Sequence, residues 1–447
     1  MERTDVLVVG GSVAGIVASV SGKSSYPDKD FLLVRKEKQI LAPCGIPYIF
    51  GSLKSSEKGI MPDRVLTDIG VRLKVGEVVS VDPKDKVCKT ADGTEIGFEK
   101  LILATGSTPI VPKWLKGTEL QNVFTIPKDK DYLDALIARL NGYKKVVVVG
   151  GGFIGVEVAD EINKLGKEVT IVEVLAHVLS LNFDEEITVR VEEILQSRGI
   201  KLKTGAGVKE ILGDEKVAGV LLNNGEKVEA DAVILAMGYR PNTALARESG
   251  IRLNELGFIK VDDYMKTENP DILAVGDCAE KRDFFTGKIS GIMLASTACT
   301  EARIAGMNLY GLRVVRAFGG TVPIFSTAVG ETAFGVAGLT ETAARRGGFD
   351  IITGRFHGVD KHPGTLRGTN RQIVKLIVGR QSKVILGGEV VGGPSTGELI
   401  NLIGLAVQNT MTVNSILTAQ IGTHPLLTAP PTAYPLIKAA EDVVKKI

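Results

Sequence analysis

Cys44 sits in the string Leu41-Ala-Pro-Cys-Gly-Ile-Pro-Tyr48, where a thiol between proline and glycine is expected to open a helix. Backbone donors and the helix dipole at such a position favour the thiolate, the form that attacks disulfides and persulfides. The bland role for a lone cysteine is that of a small buried hydrophobe. Cys88 in a polar strand-turn, Cys278 beside Asp277 and Cys299 on a helix read that way. The cysteines have no paired spacing, so neither a disulfide framework nor a zinc or other metal site is expected. A reducing cytoplasm is the natural setting.

Two glycine turns offer a second kind of chemistry, the cradling of phosphates. Gly150, Gly152 and Gly155 stand at the three positions of a dinucleotide turn, and Glu173 follows about 20 residues on, at a strand end. A carboxylate there bonds a ribose 2′-hydroxyl and repels a 2′-phosphate, so NADH is expected over NADPH. The earlier turn is less regular. Gly10 and Gly15 fit, but Ser12 stands where the second glycine belongs. Its second strand ends in Val34-Arg35-Lys36 with the nearest acid at Glu37. Either Glu37 reaches back to the ribose, or the basic pair takes its place.

The elements that must position these residues are legible around them. Asp5-Val-Leu-Val-Val-Gly10 and Lys145-Val-Val-Val-Val-Gly150 are apolar runs too short for buried helices, each ending in a glycine turn. A small-residue helix follows each turn (Ile16 to Ser21, Val156 to Leu165), then a second strand (Phe31 to Val34, Glu168 to Glu173). A βαβ unit used twice implies two parallel-sheet nucleotide domains. From about Phe325 the texture changes to alternating strands, Ile373 to Val378 and Val384 to Val391. Helices at Gly397 to Gln408 and Val413 to Ala419 and a Pro-rich tail at His424 to Pro435 complete a third, α+β domain. The fold class is therefore α/β, with two Rossmann-like domains and a C-terminal α+β domain. A length of 447 residues agrees with about three domains.

Composition narrows the partners. Lys plus Arg is 54 against 52 for Asp plus Glu, a net charge of +2, and no basic tract offers nucleic acid a hold. Val6 to Gly22 carries no charge, but Met1 to Asp5 is mixed in sign and Gly10-Gly11 breaks the run, unlike a signal peptide. No stretch is expected to cross a membrane.

In order along the chain stand the turn Gly10 to Gly15, the strand end Ala104-Thr-Gly106 and the turn Gly150 to Gly155. Gly238-Tyr-Arg-Pro-Asn242 and Val275-Gly-Asp277 follow. From end to end the chain resembles the pyridine nucleotide-disulfide oxidoreductases, flavoproteins with two dinucleotide-binding domains. The resemblance implies an FAD domain over 1–115 and 245–324, an NADH domain over 116–244 and a dimerisation domain over 325–447. FAD would be held by Gly10, Ser12, Ala14, Gly15, Arg35, Lys36, Pro43, Thr105, Gly106, Gly238, Gly276 and Asp277, the last on the ribityl chain. NADH would meet Gly150, Gly152, Phe153, Ile154, Gly155, Glu157 and Glu173. Glu157 would face the nicotinamide ribose, and Phe153 would cover the flavin until NADH displaces it. A homodimer or a dimer of dimers is implied.

In two-cysteine members of that family the second cysteine stands five positions after the first, where this chain has Ile49. The Pro-Cys-Gly-Ile-Pro-Tyr string resembles the single-cysteine branch: coenzyme A-disulfide reductases, NADH-dependent persulfide and polysulfide reductases, NADH oxidases and NADH peroxidase. Val13 replaces the histidine that peroxidases and water-forming oxidases carry in the first turn, which argues against peroxide reduction. His362-Pro-Gly364 and Thr428-Ala-Pro-Pro431 stand where coenzyme A-disulfide reductases have tyrosines, and Ser24, beside Lys23, stands at their coenzyme A-gripping basic position. Cys299 lies near their substrate contacts in sequence. His424-Pro425 resembles the acid/base His-Pro of two-cysteine reductases, although the usual glutamate is Ala429. His362 and His424 are thus the candidate proton donors, acting across the dimer; nothing recommends His177 or His357. The expected activity is NADH-dependent reduction of a disulfide, persulfide or polysulfide, coenzyme A derivatives included, through Cys44. An NADH oxidase making hydrogen peroxide is one alternative. A ferredoxin-linked reductase is another, although those lack the Pro-Cys-Gly-Ile-Pro-Tyr string.

Overall fold

The run Val6 to Val9 is apolar throughout because both its faces are covered. Val6 and Val8 enter one core cluster while Leu7 and Val9 enter another, as in a parallel sheet packed on both sides. The computed structural model describes residues 1–317 and 319–447. Two compact units divide the chain: Met1–Trp114, Val123–Tyr143 and Ile234–Thr321 form one, and Leu115–Asn122, Lys144–Val233 and Val322–Ile447 the other.

In the first unit, β1 (Glu2–Val9) leads through Gly10 to α1 (Val13–Ser25) and then to β2 (Phe31–Arg35). Strand β1 is central, parallel both to β2 and to the strand Glu95–Leu103. Val71–Val75 extends the sheet beyond β2, and Ile272–Ala274 pairs with the end of Glu95–Leu103. The helix Ala295–Met307 lies against α1, and small residues let the backbones close up. A Cβ at Gly306 would fall 2.6 Å from the Ala18 carbonyl oxygen.

The second unit repeats the motif. β3 (Lys145–Val149), α2 (Phe153–Asn163) and β4 (Glu168–Val172) follow in order, with β3 parallel to β4. Its C-terminal part is an antiparallel sheet of five strands, in the order Ile324–Val329, Thr332–Gly338, Ile385–Gly392, Arg371–Gly379, Ile351–Val359. Helix Thr396–Gln408 covers the sheet, approaching so closely that a Cβ on Gly335 would lie 2.9 Å from Ile400. A further helix, Pro435–Val444, follows the Pro-rich tail and lies against Ile351–Val359. Its buried Leu436, Ala439, Ala440 and Val443 have helical spacing and add a helix to those expected for this domain. Among the described residues, no helix is long and apolar enough to cross a membrane.

Candidate functional site

Each βαβ unit ends its first strand in a glycine that no other residue could replace. Gly10 has φ +110°, and a Cβ there would fall 2.1 Å from the Ala104 carbonyl oxygen. Its N–H donates to Val34 O at 2.9 Å, fixing the turn over the end of β2. Gly150 has φ +109° and donates in the same way to Val172 O at 2.8 Å. At Gly152 a Cβ would meet nothing within 4 Å. That open space lies over the first turn of α2, which carries no acidic residue, so its unsatisfied N–H groups face a cradle fit for a pyrophosphate. Ser12 caps α1 at the matching place; its hydroxyl makes no capping bond, and the first turn again lacks acids. Both turns fit a dinucleotide.

The rest of the first turn's surroundings come together in the same unit. Thr105 and Asn242 are cross-bonded, Thr105 Oγ1 donating to Asn242 O at 2.6 Å and Asn242 Nδ2 to Thr105 O at 3.0 Å. Tyr239–Pro241 pairs antiparallel with Ser107–Pro109, which sets Asn242 beside Gly106 and places Gly238 at the far end of the pair, its carbonyl accepting from Ile110 N at 2.9 Å. Gly276 has φ +77° and sits against Ala14, 2.9 Å from where its Cβ would be. Asp277 accepts from Lys128 Nζ and from Ser107 Oγ, both at 2.7 Å. Burial alone would push this carboxyl up, but the Lys128 ammonium outweighs it and holds the group below the usual carboxylate range.

Around the second turn, Glu173 is buried and accepts from the N–H groups of Gly151 (2.6 Å) and Leu175 (2.7 Å). Each oxygen retains capacity for another donor. Glu157 lies on α2 and accepts from Thr327 Oγ1 at 2.7 Å. Burial raises its carboxyl to about 7, against the hydroxyl bond that lowers it and with a small push from Glu161. The Phe153 ring stacks on Phe325 at 5.0 Å and meets the edge of Phe183 at 6.0 Å. Ile154 is half-buried.

Cys44 is exposed, whereas Cys88 and Cys278 are buried and Cys299 is intermediate. Burial pushes the Cys88 thiol up to about 12 and raises Cys278 and Cys299 as well. The helix expected to open at Cys44 is a correction. Two single turns of 3-10 helix stand there, Pro43–Gly45 and Pro47–Ile49. An α-helical bond to the Pro43 carbonyl would need an N–H on Pro47, which proline lacks. Ile46 N takes that carbonyl instead, at 3.2 Å. A three-residue turn has little dipole, so accessibility is what distinguishes this sulfur. The position of a second cysteine, Ile49, is fully buried.

Of the basic pair expected at the ribose, Arg35 has its donors committed elsewhere. Arg35 is buried with its guanidinium committed to Asp63 and to the carbonyls of Glu37 and Lys38, whereas Lys36 is exposed. In the second unit the fold joins the two candidate histidines through one loop pair. His362 N donates to Pro425 O at 3.1 Å, and His362 Nδ1 lies 3.0 Å from Thr428 O. A carbonyl only accepts, so Nδ1 is the donor in that contact. His424 is exposed, and its Nδ1 accepts from Leu426 N at 3.3 Å.

The chain matches the pyridine nucleotide-disulphide oxidoreductase family over residues 4–302 and that family's dimerisation domain over residues 324–434. It belongs to this family. An NADH oxidase of Methanocaldococcus jannaschii is 31% identical over 461 aligned positions, covering 99% of each chain. An NAD(P)H coenzyme A polysulfide/persulfide reductase of Pyrococcus horikoshii is 32% identical over 398 positions, covering 87% of this chain and 88% of that one. A solved NAD-dependent persulfide reductase from A. fulgidus superposes with TM-score 0.91 at 28% identity, over 99% of this chain and 83% of that one.

As a pyridine nucleotide-disulphide oxidoreductase, the protein uses FAD and a nicotinamide dinucleotide, and the two glycine turns are the places that fit them. Three partners of the site escaped the sequence reading. Ser107 directly follows the Ala104-Thr-Gly106 strand end, so its approach to Asp277 had a local signal. Lys128 and Thr327 had none, since each is brought to its carboxylate from a distant segment.

Proposed function

We propose that this oxidoreductase reduces a small sulfur–sulfur substrate (a disulfide, persulfide or polysulfide) at the expense of NADH, with Cys44 as its only redox-active thiol. The observation that carries the reading is the exposure of Cys44 against the burial of Cys88 and Cys278, with Ile49 where a dithiol partner would be. The family's sulfur-reducing relatives support the substrate class.

Bound in the first unit, FAD supplies the means to take a hydride from NADH and hand two electrons to sulfur. The chain's own residues do the rest. Glu173 receives the NADH ribose through its remaining acceptor capacity and disfavours a 2′-phosphate. Glu157 orients the nicotinamide end, and the Phe153 ring at the start of the same helix yields to the arriving NADH. The Cys44 thiolate attacks one sulfur of the substrate, forms a new S–S bond and expels the other sulfur as a thiolate, which takes a proton. Two electrons then cleave the mixed disulfide or persulfide, releasing a thiol or hydrosulfide and restoring the thiolate. His362 Nε2, or His424, supplies protons across a dimer built on the C-terminal domain.

A second reading has support in the relative named NADH oxidase, which aligns over 99% of the chain: oxygen would be reduced to hydrogen peroxide. Cys44→Ser separates the two. NADH turnover is measured anaerobically with polysulfide, coenzyme A disulfide and a ferredoxin, then aerobically with peroxide detection. Sulfur-dependent turnover should fall at least a thousandfold, while any flavin leakage to oxygen persists. Sulfur turnover that survives the substitution overturns the proposal.

A further inference from the structure

The two βαβ units are built alike, and their difference at one position assigns a role to Asp63. Gly10 N bonds to Val34 O as Gly150 N bonds to Val172 O, so Arg35 occupies in the first unit the place of Glu173 in the second. The side chains confirm the match. A Cβ on Gly151 would lie 3.1 Å from Glu173 Cβ, and one on Gly11 would lie 2.5 Å from Arg35 Cδ. Each strand-end residue thus packs under the residue that follows its strand-ending glycine, Gly11 or Gly151. Where a dinucleotide ribose wants a carboxylate, the first unit has a cation.

That cation is not available to a ligand. The Arg35 side chain is 1% exposed. Its Nε donates to Glu37 O at 2.9 Å, and its Nη2 to Lys38 O at 2.7 Å and Asp63 Oδ2 at 2.8 Å. Its Nη1 donates to Asp63 Oδ1 at 2.7 Å. What this grip presents is a carboxylate: the Asp63 side chain is 43% exposed. Asp63 precedes the helix Arg64–Thr67 but makes no side-chain capping bond to it. Each oxygen accepts one N–H from Arg35 and can accept another donor. The stem of Arg35 lies on the glycine turn, so its guanidinium delivers that carboxylate to the rim of the turn.

We propose that Asp63, held by Arg35, is the adenosine-ribose clamp for FAD, a carboxylate supplied from 28 residues beyond the strand end. The proposal rests on FAD occupying the first turn, not on which sulfur species is reduced. It also resolves the two sequence alternatives against both, since neither Glu37 nor the basic pair would hold the ribose.

The test is a ligand–mutant cycle read by flavin fluorescence on release from the holoenzyme. Each protein is loaded with FAD or with an analogue whose adenosine lacks both ribose hydroxyls. The parent should hold FAD at least tenfold more tightly than the analogue, the scale of a hydrogen bond to a charged acceptor. In Asp63→Ala the ratio should fall to about one; in Glu37→Ala it should stay at the parent value. Because Asp63→Ala also strips Arg35 of its counter-charge, two further proteins are measured. Asp63→Asn should keep only a few-fold preference, and Asp63→Ala combined with Arg35→Glu should recover it by restoring an acid under Gly11. A parent with no preference, or an Asp63 variant with the full parental ratio, overturns the assignment; general destabilisation would weaken both ligands and leave the ratio unchanged.

Discussion

Replacing Glu157 by glutamine removes a carboxyl whose proton the fold holds more tightly than water does. Burial raises it from its ordinary 4.5 to about 7, against the Thr327 hydroxyl that favours ionisation. The sign follows from linkage. Because the folded form binds this proton more tightly, its contribution is fully present below the unfolded value near pH 4.5. It is lost as pH rises through about 7. At about 1.4 kcal/mol per pH unit, that gap amounts to at most about 3 kcal/mol of stability forfeited at alkaline pH. Glutamine imitates the protonated carboxyl, keeps an oxygen for Thr327 and cannot ionise. Melting temperatures of parent and Glu157→Gln should therefore coincide near pH 5 and diverge as pH rises. By pH 9 the variant should lead by several degrees, up to about 10 °C for a unit of this size. Thr327→Val removes the donor that favours the carboxylate and should shift the parental decline to higher pH. A pH-independent difference between parent and Glu157→Gln would refute the reasoning.

Other expectations follow from the same kind of geometry. Glu173→Ala frees the N–H groups of Gly151 and Leu175 and should cut the preference for NADH over NADPH at least tenfold in kcat/KM; an unchanged ratio removes Glu173 from coenzyme selection. Gly10→Ala places a Cβ 2.1 Å from the Ala104 oxygen, so the purified variant should lack bound flavin by absorbance. Lys375 Nζ lies 2.6, 2.8, 3.1 and 3.4 Å from Asp184, Glu186, Glu341 and Glu389. Lys375→Met should cost about 3–5 kcal/mol in urea unfolding near pH 7 by stranding Asp184, Glu186 and Glu341. Glu389→Gln should be far milder, because burial and Asp184 already raise that carboxyl to about 8.

Much of this protein was written in local sequence. A valine-rich strand followed by glycine can only turn sharply where φ is positive, so both nucleotide turns, their helices and Glu173 were legible without coordinates. The C-terminal change of texture announced a different sheet in the same way, through alternation. Cys44 was legible as a lone thiol in a distinctive string, but its local geometry was misread. The missing N–H of Pro47 breaks the expected helix into single turns, although that proline stands in the sequence itself. What only the tertiary structure decided are the long-range pairings: Lys128 on Asp277, Thr327 on Glu157, His362 beside the His424 loop and Asp63 on Arg35. Such pairs carry no spacing rule, because the chain between them follows sheet topology and not a helical or strand period. An arginine at a strand end looks like a failed nucleotide clamp until the fold sets an aspartate against it, and then the charge the ligand meets is negative.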